Sequence, residues 1–438
     1  MARCNHSHSD RLARRYRGSR STPRPARRLF GLGLLVVCLA GSGSGVAIAR
    51  VGVDADAPAA GINAFALDLY QQLADSPGNI CFSPFSLSSA LAMTYAGARG
   101  ETEAQMARVL HFGDNGESFH EAYGDLSRSM RAAGDLAEGP RLVVANALWA
   151  QEDFSFLDWY FELVTSRYDA ALRNVDFTGD PAGARRTIND WVARQTAGKI
   201  LDLLGPGSVG PLTRLILTNA VYFRGAWVLP FAEKSPAAPF LLAGGERVEV
   251  PMMHQTGRLS YFEGQDPEGA DFQVLELPYR ETRLAMLIVL PSRGRPLDDF
   301  AAGVTPERLG EWIEGLEPLR VSVFLPRFAL RAALDLAGTL GAMGMPDAFH
   351  QQTANFSGMT GSPDLFISSV LHKAFLEVTE QGTEAAAASA VVMALKSSGQ
   401  DPRARKPVFR ADHPFLFLIR DRETGVVLFL GRLVDPRG

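Results

Sequence analysis

The residues whose types and spacing could do chemistry mostly lead nowhere. Gly205-Pro206-Gly207-Ser208-Val209-Gly210 has the glycine spacing of a dinucleotide-binding turn. That turn works only between a strand and a helix whose N-terminus meets the pyrophosphate. Here the segment follows an Ile200–Leu204 stretch read as helical and runs into Pro211, so it reads as a loop. From residue 50 onward the histidines are His111, His120, His254, His350, His372 and His413, none within five positions of another. Their spacing argues for no local metal site. The body has no P-loop, no His-Glu-x-x-His, no Cys-x-x-Cys and no Gly-x-Ser-x-Gly elbow. A triad assembled from distant residues stays open, but an enzyme reading has little to rest on.

The 438 residues are 46% hydrophobic and 21% charged, an ordinary globular composition. The formal charge of −4 hides an asymmetry, because the first 49 residues hold nine arginines and one acid, Asp10. Residues 50–438 carry 35 basic against 47 acidic side chains, a net charge of −12. So acidic a body argues against nucleic-acid partners and anionic membranes. Residues 1–49 read as an export signal: a basic stretch ends at Arg27-Arg28, an apolar run follows from Leu29 to Ala40, and Ala47-Ile48-Ala49 fits the cleavage site. Arg27-Arg28-Leu29-Phe30 resembles the twin-arginine form, and the Sec and Tat routes both stay open. The apolar run is short for a membrane span, and Val37 before Cys38 argues against a lipid anchor. The expectation is a secreted or periplasmic chain with no stable membrane insertion. Cys4 and Cys38 fall in the leader, leaving Cys81 unable to form an internal disulfide or a thiolate metal cage.

The body divides by pattern. Ile62, Phe65, Ala66, Leu69 and Leu73 recur at helical spacing, and Ser83-Pro84 supplies an N-cap and first-turn proline for a helix ending near Gly97. Further helices are expected over Thr102–Leu110, between Ser118 and Ala133, and over Ala184–Thr196. Strands are expected at Arg141–Ala150, Leu215–Phe223, Phe272–Leu277, Leu284–Leu290 and Val321–Leu325, with a hairpin at Glu281-Thr282. With no linker tract and no repeat, residues 50–438 read as one large α+β domain.

One segment has two readings. Between Ala385 and Leu395 no residue is charged, so a surface helix there would expose apolar area all round. At period two, Thr383, Ala385, Ala387, Ser389, Val391 and Met393 share a face of small or apolar side chains that a sheet interior accepts. Gly382 can act as a hinge, and the polar Ser397–Arg405 tract suits an exposed loop. The segment is compatible with both an exposed loop and a central strand.

The body resembles the serpin family. Asn79-Ile80-Cys81-Phe82-Ser83-Pro84-Phe85-Ser86, Thr218-Asn219-Ala220-Val221-Tyr222-Phe223-Arg224-Gly225-Ala226-Trp227, Val250-Pro251-Met252-Met253-His254-Gln255, Val370-Leu371-His372-Lys373-Ala374 and Phe409-Arg410-Ala411-Asp412-His413-Pro414-Phe415 are similar to its motifs, in the family's order. The resemblance implies three β-sheets, about eight or nine helices and an exposed reactive loop over about 380–408. It implies an inhibitor of serine proteases, not an enzyme: the protease cuts the loop, and the loop then inserts into the main sheet and distorts the trapped acyl-enzyme. Fourteen inserted residues make about 46 Å of strand, and the ladder bonds at ~1 kcal/mol each could match a whole domain's stability. The resemblance puts the hinge at Glu380, Gly382, Thr383, Glu384, Ala385, Ala386, Ala387 and Ala388. It puts the cut bond at Lys396-Ser397, with Leu395, Arg403 and Arg405 as competitors because the tract up to Phe409 is long. Lys396 implies a trypsin-like protease and Leu395 a chymotrypsin- or subtilisin-like one. Ser83, Ser86, Asn219, Trp227 and His372 resemble the residues that gate sheet opening. No cofactor is expected, and the chain is expected to act as a monomer. A non-inhibitory carrier or chaperone of the same family is the competing expectation, and an unrelated exported hydrolase a remote one.

Overall fold

The computed structural model describes residues 58–133, 141–383 and 406–438. Helix α1 (Pro58–Ala74) buries Ile62, Phe65, Ala66, Leu69 and Leu73, the positions marked by their helical period. After β1 (Ile80–Phe82), α2 (Pro84–Gly97) opens at the expected cap: the Ser83 hydroxyl accepts from the Ser86 N–H at 3.2 Å. Every residue of α2 is buried, so its hydroxyls find partners inside. Ser88 meets the Tyr123 hydroxyl at 2.9 Å, and Ser89 and Thr94 donate to the Phe85 and Leu91 carbonyls at 2.7 and 2.8 Å. α3 (Gly100–Leu110) and α4 (Glu117–Ala133) each begin slightly before the expected residue.

The next elements are β2 (Arg141–Gln151), α5 (Asp158–Arg167), β3 (Ala171–Val175), α6 (Pro181–Gln195) and β4 (Leu215–Ala226). Ile200–Leu204 is not helical, contrary to expectation. Ala197 and Gly198 take left-handed φ values of 49° and 76°, and the Thr196 hydroxyl ties the turn to both the N–H and the carbonyl of Ile200. Residues 205–210 accordingly lie in an irregular connection with no strand before them.

The second half is mostly strand: β5 (Ala237–Leu241), β6 (Arg247–Gln265), β7 (Asp271–Pro278), β8 (Leu284–Pro291), then α7 (Leu297–Ala302) and α8 (Pro306–Glu314). β9 (Glu317–Pro326), β10 (Phe328–Asp335), α9 (Ala337–Met343), α10 (Ser357–Thr360), β11 (Ile367–Val378), β12 (Gly382–Thr383), β13 (Val408–Arg410), β14 (Phe415–Asp421) and β15 (Val427–Leu433) complete it. The α+β class is as expected. The described residues form ten α-helices, in keeping with the expected eight or nine once the short α7, α9 and α10, of seven residues or fewer, are counted.

The main sheet has the order β10–β11–β12–β4–β2–β3. Its central β4 is buried on both faces along most of its length, which explains its nearly unbroken apolar run. The other strands run β1–β15–β14–β8–β7–β6–β9–β13, with β5 beside β6. The 19-residue β6 serves two smaller sheets, pairing first with β5 and β9 and then with β7. The large core lies between the main sheet, the first helices and these strands; a second, around Trp149, Ile188, Trp191, Ile216 and Ala220, lies under α6. Inside the large core Arg420 on β14 donates to Glu276 on β7 at 2.7 and 3.1 Å, an ion pair that is almost wholly buried.

Candidate functional site

The site is a seam. β4 and β11 pair in parallel from Leu215 opposite Ile367 to Tyr222 opposite Phe375. Beyond Phe375 they part, and the two residues of β12 fill the opening. Gly382 faces Ala226, and Thr383 faces Gly225 on one side and Val378 on the other, antiparallel to both neighbours. The chain thus leaves β11 at Val378, turns through Thr379–Gln381 and re-enters the sheet beside its own strand. The turn is closed by Thr379 N–H to the Gly382 carbonyl at 2.8 Å. A Cβ on residue 382 would sit 2.0 Å from the Gly225 carbonyl oxygen and 2.7 Å from Ala226 Cα, so the approach requires glycine. Thr383 is fully buried, its hydroxyl 2.6 Å from that of Tyr279.

Around this wedge a clamp holds the turn. The Trp227 N–H donates to the Gln381 carbonyl at 3.0 Å, its indole Nε1–H to the Thr379 carbonyl at 3.0 Å, and the Phe231 N–H to the Glu380 carbonyl at 2.9 Å. The indole stacks on Tyr279 with centroids 4.5 Å apart and an 18° interplanar angle. The Glu380 carboxylate accepts from the Ser235 hydroxyl and the Arg327 guanidinium, both at 2.5 Å. Burial alone would raise the Glu380 carboxyl, but these partners outweigh it and hold it below its ordinary value.

Lower on the seam lies a buried polar cluster. His372 of β11 and Asn219 of β4 are direct neighbours across the parallel pairing. The His372 Nε2 accepts from the Ser83 N–H at 3.1 Å, which leaves the proton on Nδ1, 2.5 Å from Asn219 Oδ1. The Asn219 amide donates to the Ser86 carbonyl at 2.9 Å, to the Ser86 hydroxyl at 2.5 Å and to Asn146 Oδ1. Burial without a compensating charge pushes the imidazole down to about 3, so it stays neutral. The cluster joins β2, β4 and β11 to the capped first turn of α2 where the two central strands meet.

The five residues named as gates therefore fall into two groups. Ser83, Ser86, Asn219 and His372 come together, while Trp227 stands eight residues further along from Asn219, about 26 Å of extended chain, against the wedge. Of the hinge residues, Glu380, Gly382 and Thr383 are placed as above; Glu384, Ala385, Ala386, Ala387, Ala388, Lys396 and Ser397 lie outside the described residues, as does the leader. Sequence reasoning missed Asn146, Tyr279, Ser235 and Arg327. Asn146 left a signal, an amide inside the apolar run of β2; the other three act across distant strands and leave none. Among the described residues no group of three His, Cys, Asp or Glu could hold a metal ion, and no helix is long and apolar enough to cross a membrane.

A family model described as serpin (serine protease inhibitor) matches residues 60–436. An uncharacterized serpin-like protein of Thermococcus kodakarensis is 40% identical over 378 residues, 86% of this chain and 85% of that protein. The leukocyte elastase inhibitor of Xenopus tropicalis is 40% identical over 382 residues, 85% of this chain and 97% of that protein. The structure of native protease nexin-1 with heparin superimposes with a TM-score of 0.76 at 32% identity, covering 87% of this chain and all of that one.

Proposed function

This chain belongs to the serpin (serine protease inhibitor) family, and we propose that it traps serine proteases by inserting its cut loop into the main sheet. The observation that carries this is β12, where Gly382 and Thr383 already occupy the first two places of a strand between β4 and β11. Extending their register along β4 would bring Ala385 opposite Phe223, Ala387 opposite Val221, Ser389 opposite Asn219, Val391 opposite Leu217 and Met393 opposite Leu215. β4 begins at Leu215, so the sheet is filled just before Leu395-Lys396-Ser397. Every inward-facing side chain on that path is small or apolar, so insertion exchanges one parallel seam for two antiparallel ladders without burying a charge.

The hinge is then Glu380 with residues Gly382–Ala388. The cluster of Ser83, Ser86, Asn219 and His372 holds the seam shut, and Trp227 guards its open end. Lys396-Ser397 is the bond cut, by a trypsin-like protease whose pocket carries an acid. A second register, with Leu395 before the cut, is favoured by the leukocyte elastase inhibitors among the relatives and would select an apolar pocket. The leader places the protein outside the cytoplasm, where it works as a monomer.

The test is incubation with trypsin, with chymotrypsin and with pancreatic elastase, followed by denaturing electrophoresis and N-terminal sequencing of the released peptide. A complex stable to SDS and a peptide beginning at Ser397 are expected with trypsin; a start at Lys396 with either of the others supports the second register. Clean cutting with the protease left active, and no rise in Tm of the cut protein, would overturn inhibition and leave a non-inhibitory carrier or chaperone.

A further inference from the structure

Across the exposed face of the small sheet that anchors the far end of the loop runs a row of three cations that no stretch of sequence reveals. Arg258 on β6 and Arg320 on β9 are directly opposed in an antiparallel pair. The parallel pairing of Val408 with Ser322, and the Ser322 N–H bond to the Pro407 carbonyl at 3.0 Å, set Lys406 beside Arg320 on its other side. All three are exposed, and among the described residues none of their side chains has an ion-pair or hydrogen-bond partner. Of the flanking rows, Thr256–Ser322–Val408 above holds no carboxylate, and Ser260–Pro318 below meets one only beyond Ser260, where Glu276 of β7 is buried and paired with Arg420 and Arg422. Like charges set directly opposite one another on a sheet are destabilising, so the arrangement costs the free protein stability.

The next row supplies further contact surface. His254 stacks on Phe324 with centroids 4.5 Å apart, and the Arg410 guanidinium lies 3.7 Å from the same ring. Val408 beside them is 51% exposed, a large apolar side chain left in water. Arginine, aromatic rings and an exposed aliphatic group together are the composition of a protein-docking surface.

We propose that the face carrying Arg258, Arg320 and Lys406 is a docking site for an acidic surface of the protease that attacks the loop. Position favours that occupant. Lys406 lies nine residues after Ser397, so a protease on the Lys396-Ser397 bond is tethered within about 30 Å of the row. A domain of about 200 residues is roughly 40 Å across, enough to reach the row from that bond. Cutting after Leu395 moves the tether by only one residue, and cutting after Arg403 or Arg405 shortens it. The row therefore adds a selectivity for surface charge to whatever the loop selects by its bait residue; the inference rests on the inhibitory reading above.

The experiment compares wild type with Arg258→Glu/Arg320→Glu and with Arg258→Ser, using the anionic and cationic isoforms of pancreatic trypsin, which share a cleft but differ in surface charge. Wild type is expected to form its SDS-stable complex faster with the anionic isoform. The double variant is expected to lose about tenfold of that rate at roughly 0.05 M salt and less than about twofold at roughly 0.5 M, with little change against the cationic isoform. The double variant keeps a like-charge pair at 258 and 320 and makes residue 320 and Lys406 an opposite-charge pair, so its Tm should be no lower than wild type. Equal rates for wild type and double variant while complexes still form would overturn the docking site and leave inhibition standing. A second measurement is independent of inhibition: anisotropy of a labelled Asp/Glu-rich peptide of about ten residues with the whole protein. Binding weakened about tenfold or more by the double substitution supports the site, and no binding overturns it. A heparin oligosaccharide that binds the same residues far more tightly than the peptide would also overturn it, in favour of a sulfated polyanion.

Discussion

His372 and Asn219 face each other across the parallel pairing of β11 and β4, and their side chains bridge it with Nδ1 2.5 Å from Oδ1. Because Nε2 is already an acceptor for the Ser83 N–H, a second proton on the ring would break that bond and put an unpaired charge inside the sheet. The folded protein holds His372 near 3 and, also chiefly through burial, His120 near 4, while the unfolded chain titrates near 6.5. The unfolded state therefore binds protons first, and stability is complete above about pH 6.5 and falls as the pH drops below it. Between pH 7 and pH 5 each histidine should cost about 2 kcal/mol. Urea midpoints across that range will show it, and His372→Asn should remove about half the slope. His372→Ala should also loosen the seam and yield polymers on mild heating; an unchanged Tm and a monomer-only elution profile would count against the bridge.

Thr383→Arg tests the wedge itself. Thr383 is fully buried against Tyr279, so a guanidinium there would be buried without a partner. The variant should fold with β12 expelled, be cut by the protease, and release it active. Its Tm after cutting should stay within a few degrees of the intact value, whereas the wild type should gain far more.

At residue 382 the obstacle is steric. Gly382→Val puts a Cβ where the Gly225 carbonyl oxygen stands, so the upper end of the sheet must spread or β12 must leave. Hydrogen exchange in a peptide covering residues 378–383 should speed up. More protease cuts should end in release than in trapping, seen as a rise in the stoichiometry of inhibition.

In the core, Arg420→Leu should destabilise by about 3 kcal/mol, because Glu276 is left with only the half-exposed Arg422 as a charged partner. Adding Glu276→Leu should recover most of the loss. Denaturant midpoints of the two variants decide it, and a double variant no more stable than the single one would contradict the reading.

The helices and their caps were legible because their causes are local. Ser83-Pro84 and the period through Ile62 and Leu73 need only neighbours in sequence. Ile200–Leu204 misled because an apolar run says nothing of left-handed residues just before it, here Ala197 and Gly198. The alternation from Thr383 to Met393 made the segment compatible with a loop and with a strand, but it did not reveal that Gly382 and Thr383 already pair with β4. Tyr279 and Arg327 reach the wedge only because strands far apart in sequence lie side by side, and the cation row of Arg258, Arg320 and Lys406 exists only once β6, β9 and the start of β13 are adjacent.

The bridge between Asn219 and His372 spans 153 positions of chain, whereas Glu384 lies six residues after Val378, the end of β11. Joining distant segments is slow because loop-closure entropy precedes the contacts that reward it, and local hairpins form sooner. On the proposed reading, recovery from denaturant is a race: the spring is set only if β4 finds β11 before the neighbouring bait segment occupies the vacancy. Yield of active inhibitor should then depend on how refolding is driven as well as on final conditions, so that the working form is selected by rate and not by depth of the free-energy minimum.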